Sequence, residues 1–270
     1  MMKSMHESAK QSRGERAIRI SVITVCFNSA ATIEDTLRSV AAQTHAEVEH
    51  IVIDGKSTDN TMAIVDRYRA GLARVVSEPD RGVYDAVNKG IALASGDVVG
   101  FLNADDVFAD ATALESVAAA FDAPDVDACY ADLVYVDKND TGRVVRYWKS
   151  NEYRHGLCRK GWMPAHPTFY VRRRVFEQYG GFDLQYPRQS DFELTLRLLE
   201  VHGTKSVYIP RTLVRMRTGG ISNNSYINVL KGNLEAYRAC RNNGIPVSPL
   251  FIFQKILSRF PQFFARQVEK

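Results

Sequence analysis

Along Ile18–Phe121 the hydrophobic period alternates between two and about 3.6, and that rhythm constrains the fold more than any single residue does. β-branched or apolar runs at Ile18–Val25, Val48–Ile53, Leu72–Ser77 and Val98–Leu102 read as strands. Between them, helical spacing runs over Thr32–Gln43, from caps at Ser57–Asp59 through Tyr68, over Tyr84–Ala94 and, last, over Ala111–Phe121. In the first helix Ile33, Leu37 and Val40 share one face. Such a βα alternation predicts a parallel sheet covered on both faces, with right-handed crossovers. Its ligand crevice is expected at the carboxyl ends of the strands.

The strand ends carry the chemistry. Ala94–Asp106 reads A-S-G-D-V-V-G-F-L-N-A-D-D, an apolar run that stops in Asn103, Asp105 and Asp106. Adjacent carboxylates are costly to crowd together unless a cation sits beside them, and with no His/Cys set nearby they suit Mg²⁺ or Mn²⁺ carried on a diphosphate. A solvated turn with an Asp cap is the plainer alternative. After the second strand, Asp54 is placed to accept from a base ring N–H or a ribose hydroxyl, whereas Asp59 reads as a cap. In Glu78–Gly90, Asp80 precedes Gly82, and Asp85, Asn88 and Lys89 share a helix face that could equally be a solvated one. The first strand runs into Cys26-Phe27-Asn28-Ser29 and not into G-x-G-x-x-G, which counts against a dehydrogenase.

Past Pro124 the rhythm breaks. Asp127–Val136 and Arg143–Trp148 read as a hairpin, Thr168–Val171 as a strand, Asp191–Val201 as a helix and Ser206–Arg215 as an edge strand. With 45% apolar residues among 270, the chain can bury a real core. Cys26, Cys129, Cys158 and Cys240 form no C-x-x-C pair, which argues against a disulfide framework or a zinc site and for a reduced, cytoplasmic setting. No apolar run reaches the ~20 residues of a membrane span. The net charge of +4 is too mild to imply nucleic acid.

The order of these motifs resembles the family 2 glycosyltransferases. The matching residues are Ser21–Asn28, Ile53-Asp54-Gly55 with Ser57-Thr58-Asp59, Gly82 with Ala86, Asn88 and Gly90, Ala94–Asp97 and Phe101–Asp106, within residues 18–222. The resemblance implies an α/β, GT-A (Rossmann-like) fold: a mostly parallel central sheet flanked by helices, with an acceptor-side extension and C-terminal helices. It implies a nucleotide-sugar-binding half at 18–122 and an acceptor-binding, catalytic half at 123–225, between a disordered arm at 1–17 and amphipathic helices at 226–270. Val25 and Asn28 would line the nucleotide, Asp54 would bind the base, and Asp105 would hold Mn²⁺ or Mg²⁺ on the diphosphate. Asp80, Asp85, Lys89, Asn103 and Ala104 complete the expected donor site. Asn103 stands where the family's D-x-D motif has its first acid, so the charge there is weaker.

Gln189-Ser190-Asp191-Phe192-Glu193-Leu194 is similar to the family's E-D-x-x-L segment, which implies Asp191 as general base, with Ser190 in place of the preceding acid. An ordinary Asp, with a pKa near ~3.9, is a weak base unless burial or other acids raise it, and a helix cap is the other role for that position. His166, in Ala165-His166-Pro167, resembles a segment facing the acceptor, although a structural histidine fits as well. Arg215, Arg217, Gly219 and Gly220 resemble a loop that closes over phosphate, or form a plain turn.

Residues 226–270 carry seven cations against two acids. Ser248-Pro249 opens a helix in which Leu250, Phe253, Leu257, Phe260 and Phe264 form a stripe flanked by Lys255, Arg259 and Arg266. Residues 248–268 are thus expected either to lie on an anionic membrane surface or to dock on their own domain. The function expected is inverting transfer from a nucleotide-diphospho sugar, UDP first, to a hydroxyl of a polyprenyl-diphosphate-linked glycan, at the inner face of the plasma membrane. A sugar-1-phosphate nucleotidyltransferase is the alternative enzyme, although Phe27–Ala31 lacks its glycine-rich basic loop. A catalytically silent nucleotide-sugar-binding protein is the alternative without chemistry.

Overall fold

The computed structural model describes residues 17–219, 226–248 and 250–258. The expected arm before Ala17, Gly220 and the tail past Ser258 lie outside the described residues. The first half alternates as the pattern requires: β1 (Ile20–Cys26), α1 (Ile33–Ala41), β2 (Val48–Asp54), α2 (Thr61–Arg67), β3 (Arg74–Ser77), α3 (Val83–Leu93) and β4 (Val98–Phe101). A two-residue β5 (Val107–Phe108) and α4 (Ala113–Ala120) follow. The second half holds β6 (Ala128–Val136), β7 (Val144–Trp148), β8 (Tyr170–Arg172), α5 (Arg173–Tyr179), α6 (Ser190–Leu196) and β9 (Ser206–Arg217). Helices α7 (Tyr226–Asn242) and α8 (Phe251–Ser258) close the described chain.

One sheet runs through both halves in the order β3-β2-β1-β4-β8-β6-β9-β5, with β7 paired to the far end of β6. Strands β3, β2, β1 and β4 are parallel, while β8 turns the sheet by pairing antiparallel with both β4 and β6. Ile20, Val22, Val98 and Leu102 face α4 in one core layer, and Ile23, Ile51, Val99 and Phe101 face α3 and α6 in the other. This is the GT-A architecture. Gly100 is where β4 admits its neighbour: a Cβ there would lie 2.0 Å from the Tyr170 ring.

The structure corrects two strand expectations. β9 is no edge strand, for it lies between β6 and β5. Its half-buried residues gave it an edge-like pattern, and β5, at two residues, is too short to leave a periodic signal. β8 also starts later than expected, because His166–Thr168 forms a 3₁₀ turn with the Thr168 hydroxyl donating to the Ala165 carbonyl at 2.7 Å.

The Ala94–Asp97 segment anchors the amino edge of the sheet, away from the strand ends. The buried Glu49 carboxylate accepts from the Ser95 amide at 2.8 Å, the Ser95 hydroxyl at 2.7 Å and the Ser21 hydroxyl at 2.5 Å. Burial pulls its pKa up, and these donors together bring it below the usual carboxylate value.

Candidate active site

The parallel strands bring their carboxyl ends to one edge, so residues distant in sequence become neighbours there. Register places Cys26 beside Asp54 and Asp54 beside Ser77. Asn28 takes a left-handed φ of 51°, and its side-chain oxygen accepts from the Thr58 amide at 2.9 Å while its own amide donates to Ser57. Asp54 is fully buried. It accepts from the Ser57 amide at 3.0 Å, the Ser77 hydroxyl at 2.6 Å and the Ser57 hydroxyl. The Cys26 thiol at the end of β1 also reaches it, at 3.6 Å, so the carboxylate ties the ends of β1, β2 and β3 together. Asp80 is half-buried against Gly55, where a Cβ would lie 3.0 Å from its Oδ2. Asp59 caps locally, accepting from the Thr61 amide at 2.9 Å.

At the end of β4 the acids crowd. Asp106 is fully buried; one oxygen accepts from the Asn103 side-chain amide at 2.9 Å and the other from the Arg217 amide at 3.2 Å. Burial and the Asp105 charge push its pKa up to about 8, and burial also raises Asp105, which Arg217 partly offsets. Ala104 is buried beneath them. The Arg217 guanidinium donates to the Asp105 carbonyl at 2.7 Å and to Asp35 at 2.5 Å.

A cavity of about 550 Å³ opens between this edge and the second half. Its walls include Val25 and Asn103 from the donor strands, Tyr84 from α3, His166, Asp191 at the head of α6, and Arg146 from β7. Of the expected site residues, the structure brings Val25, Asn103, His166 and Asp191 onto this one cavity. Asp191 accepts from the Phe192 amide at 2.8 Å. Half-buried Tyr84 lines the cavity with Asp191; burial of its phenol first, then the Asp191 charge, drives its pKa well up. His166 stacks on Phe101 at 5.4 Å and meets the Phe182 ring edge-on. Burial lowers its pKa and Asp191 opposes that, so the ring is neutral at pH 7.

Other expected contacts lie elsewhere. Asp85 pairs with Arg81 at 2.9 Å and Lys89 with Glu78 at 2.9 Å, neither on the cavity; each is half-buried in its local ion pair. Asn88 turns away to bond the Phe182 backbone. Arg215 donates to the Thr141 carbonyl at 3.1 Å, and Arg217 is buried under the Asp105 loop, so neither guanidinium lines the cavity. Gly219 has φ +107° and Gly220 is outside the described residues. Sequence reasoning missed Tyr84, Arg146, Arg188 and Gln189 on the cavity wall. Arg188 and Gln189 could have been found by their adjacency to Asp191. Arg146 could not, since only the β6–β7 pairing brings it there.

The sequence profile of Glycosyl transferase family 2 matches residues 21–180, more than half of the chain. The chain belongs to glycosyl transferase family 2. An uncharacterized glycosyltransferase of Mycobacterium tuberculosis is 34% identical over 221 residues, covering 80% of this chain and 81% of that one. A PGL/p-HBAD biosynthesis glycosyltransferase of Mycobacterium bovis is 28% identical over 215 residues, covering 75% and 78%. Staphylococcus aureus TarS 1–349 in complex with UDP superposes with a TM-score of 0.63 at 18% identity, over 90% of this chain and 72% of that one. The mannosyltransferase PcManGT of Pyrobaculum calidifontis, in complex with GDP-Man and Mn²⁺, gives 0.60 at 18% identity, over 95% and 75%. These structures share the GT-A fold. As a family member the chain is a glycosyltransferase, an enzyme that transfers a sugar.

Proposed function

We propose that this glycosyltransferase moves a sugar from a nucleotide-diphospho sugar, UDP-linked in the first instance, to a hydroxyl of a lipid-linked glycan, inverting the anomeric centre. The observation that carries the reading is one cavity walled by Asn103 from the donor strand edge and by Asp191 from α6. The crowding of Asp105 and Asp106 supports a cation. Burial raises both carboxyl pKa values, and a divalent ion beside Asp105 would relieve that cost. Among the described residues no three His, Cys, Asp or Glu side chains cluster as ligands, so diphosphate oxygens would complete the coordination, as Mg²⁺ and Mn²⁺ accept. Asp105 would hold the ion, whose charge would steady the departing diphosphate.

Asp191 takes the proton of the acceptor hydroxyl as that oxygen attacks the anomeric carbon from the face opposite the diphosphate. The carbon–oxygen bond to the diphosphate breaks and its electron pair leaves with the phosphate. One displacement inverts the centre. Tyr84 and His166 share the cavity wall with the base. Arg188, three residues before Asp191, is held by Glu235 at 3.0 Å, so its charge is already paired.

The lipid-linked acceptor draws support from α8. Phe253 on α8 and Leu250 just before it are exposed, at 60% and 62%, in a segment rich in cations. Among the described residues no helix is long and apolar enough to cross a membrane, so contact would be peripheral. The test is nucleoside diphosphate release across UDP-, GDP- and dTDP-sugars with Mn²⁺ or Mg²⁺. One donor is expected to turn over slowly, with Asp105→Ala abolishing it and Asp191→Asn abolishing transfer while donor binding persists. Failure of every donor to bind in either metal would overturn the reading.

A further inference from the structure

The sequence places Lys255 beside an apolar stripe on a helix that either lies on a membrane surface or docks on its own domain. In the structure Lys255 is 1% exposed, among the most completely buried large side chains described, so this part of the helix is docked. Its ammonium donates to Gln189 Oε1 at 2.5 Å and sits 4.3 Å from the centre of the Phe192 ring. Both residues belong to the head of α6: Gln189 precedes its first turn, and Phe192 follows Asp191 directly. A buried ammonium demands hydrogen bonds and a polarisable face, and the α6 head supplies one of each.

The surrounding backbone is shaped to admit this side chain. Gly161 has φ +81°, and a Cβ there would fall 2.5 Å from the Lys255 Cβ. Phe251, one helical turn before Lys255, is fully buried at 6.1 Å from Phe192 and 6.3 Å from Tyr237. Gln189 itself lines the active cavity, and a Cβ on Gly232 of α7 would meet its Nε2 at 3.3 Å. Gln189 is therefore held between α7 and α8, with Lys255 setting the direction of its carboxamide.

We infer that Lys255 is a positioning residue: by reaching from the terminal helix to Gln189 and Phe192 it fixes the α6 head, and with it the aim of Asp191. The terminal helix is then part of the catalytic apparatus, and undocking it loosens the base while leaving the donor edge intact. Lys255 touches no substrate. The inference rests on Asp191 being the base, and its test separates the two.

The first readout needs no ligand. Hydrogen exchange of the full chain is followed for the amides of residues 189–193 in the parent and in Lys255→Met. Exchange there is expected to quicken on the order of tenfold, with β1–β4 amides unchanged. The second readout uses the sugar-nucleotide that the donor panel selects, with water as acceptor. Lys255→Met is expected to lower kcat on the order of tenfold at unchanged donor KM, since small misplacements of a base are costly. In a cycle with Gln189→Leu the two losses should not add, as for residues acting through one contact. Additive losses, or unchanged exchange at 189–193, would overturn the inference. If Lys255→Met does not fold, Gly161→Ala displaces the same side chain without deleting it and should give the same exchange pattern; parental exchange in it refutes the coupling. Should Asp191→Asn keep full turnover, the base assignment fails, while the exchange result still decides whether Lys255 holds the α6 head.

Discussion

Replacing Arg217 by Met tests whether the acidic loop after β4 is braced from β9. Arg217 is 7% exposed, and its guanidinium donates to the Asp105 carbonyl at 2.7 Å and to Asp35 at 2.5 Å. Met keeps the stem and the backbone bond to Asp106 but deletes both guanidinium bonds. A charge-assisted bond to a largely buried carbonyl contributes about 1.5–3 kcal/mol. The pair with Asp35, whose side chain is 55% exposed, is screened and adds at most about 1 kcal/mol. The expected loss is thus roughly 2–4 kcal/mol, or a fall in Tm of roughly 5–10 °C for a domain of this size. Arg217 also offsets the raised pKa values of Asp105 and Asp106, so its removal lifts both further. Urea denaturation at pH 7.5, with and without Mn²⁺ and UDP, measures the effect. The gap between variant and parent should narrow when Mn²⁺ and UDP are present, because the ion takes over the charge compensation. A variant within about 0.5 kcal/mol of the parent in the absence of ligand would refute the bracing role.

Three further outcomes are expected. Burial holds the His50 ring to a pKa of about 4, so the folded state binds its proton less readily than the unfolded chain does. Stability from this group is full above pH 6.5 and is lost as pH falls toward 4, by roughly 2 kcal/mol between pH 7 and pH 5; a His50→Gln variant with the same pH slope as the parent counts against it. Gly100→Ala would drive a methyl into the Tyr170 ring and should cost about 3 kcal/mol or more, read as a lower urea midpoint; a parental midpoint would show that β4 and β8 are not in the contact described. Glu49→Gln leaves the Ser21 and Ser95 donors facing a neutral amide and should cost about 1–3 kcal/mol at pH 7 with donor KM unchanged, while a raised KM would place that anchor in the donor site instead.

What the chain declares in one dimension is its first half. The βα rhythm of residues 18–121 sets the parallel order and the shared carboxyl edge, because a strand's period and a crossover's handedness are local properties. The acids after β4 and the Gln189–Glu193 segment were legible for the same reason: each is a short run of unlike residues at the end of an apolar one. The tertiary structure alone decided which of these groups meet. It put Asp191 on a cavity wall with Asn103, and paired Asp85 with Arg81 and Lys89 with Glu78 away from that cavity. It also sent Arg217 under the Asp105 loop, where the β5–β9 pairing across a hundred residues of chain brings it. Lys255 marks the difference most sharply. In sequence it flanks an apolar stripe as a surface cation would, and only the packing of α8 against Gly161 and Phe192 takes it inside. Helical spacing says which residues share a face; what that face meets is set by contacts far along the chain.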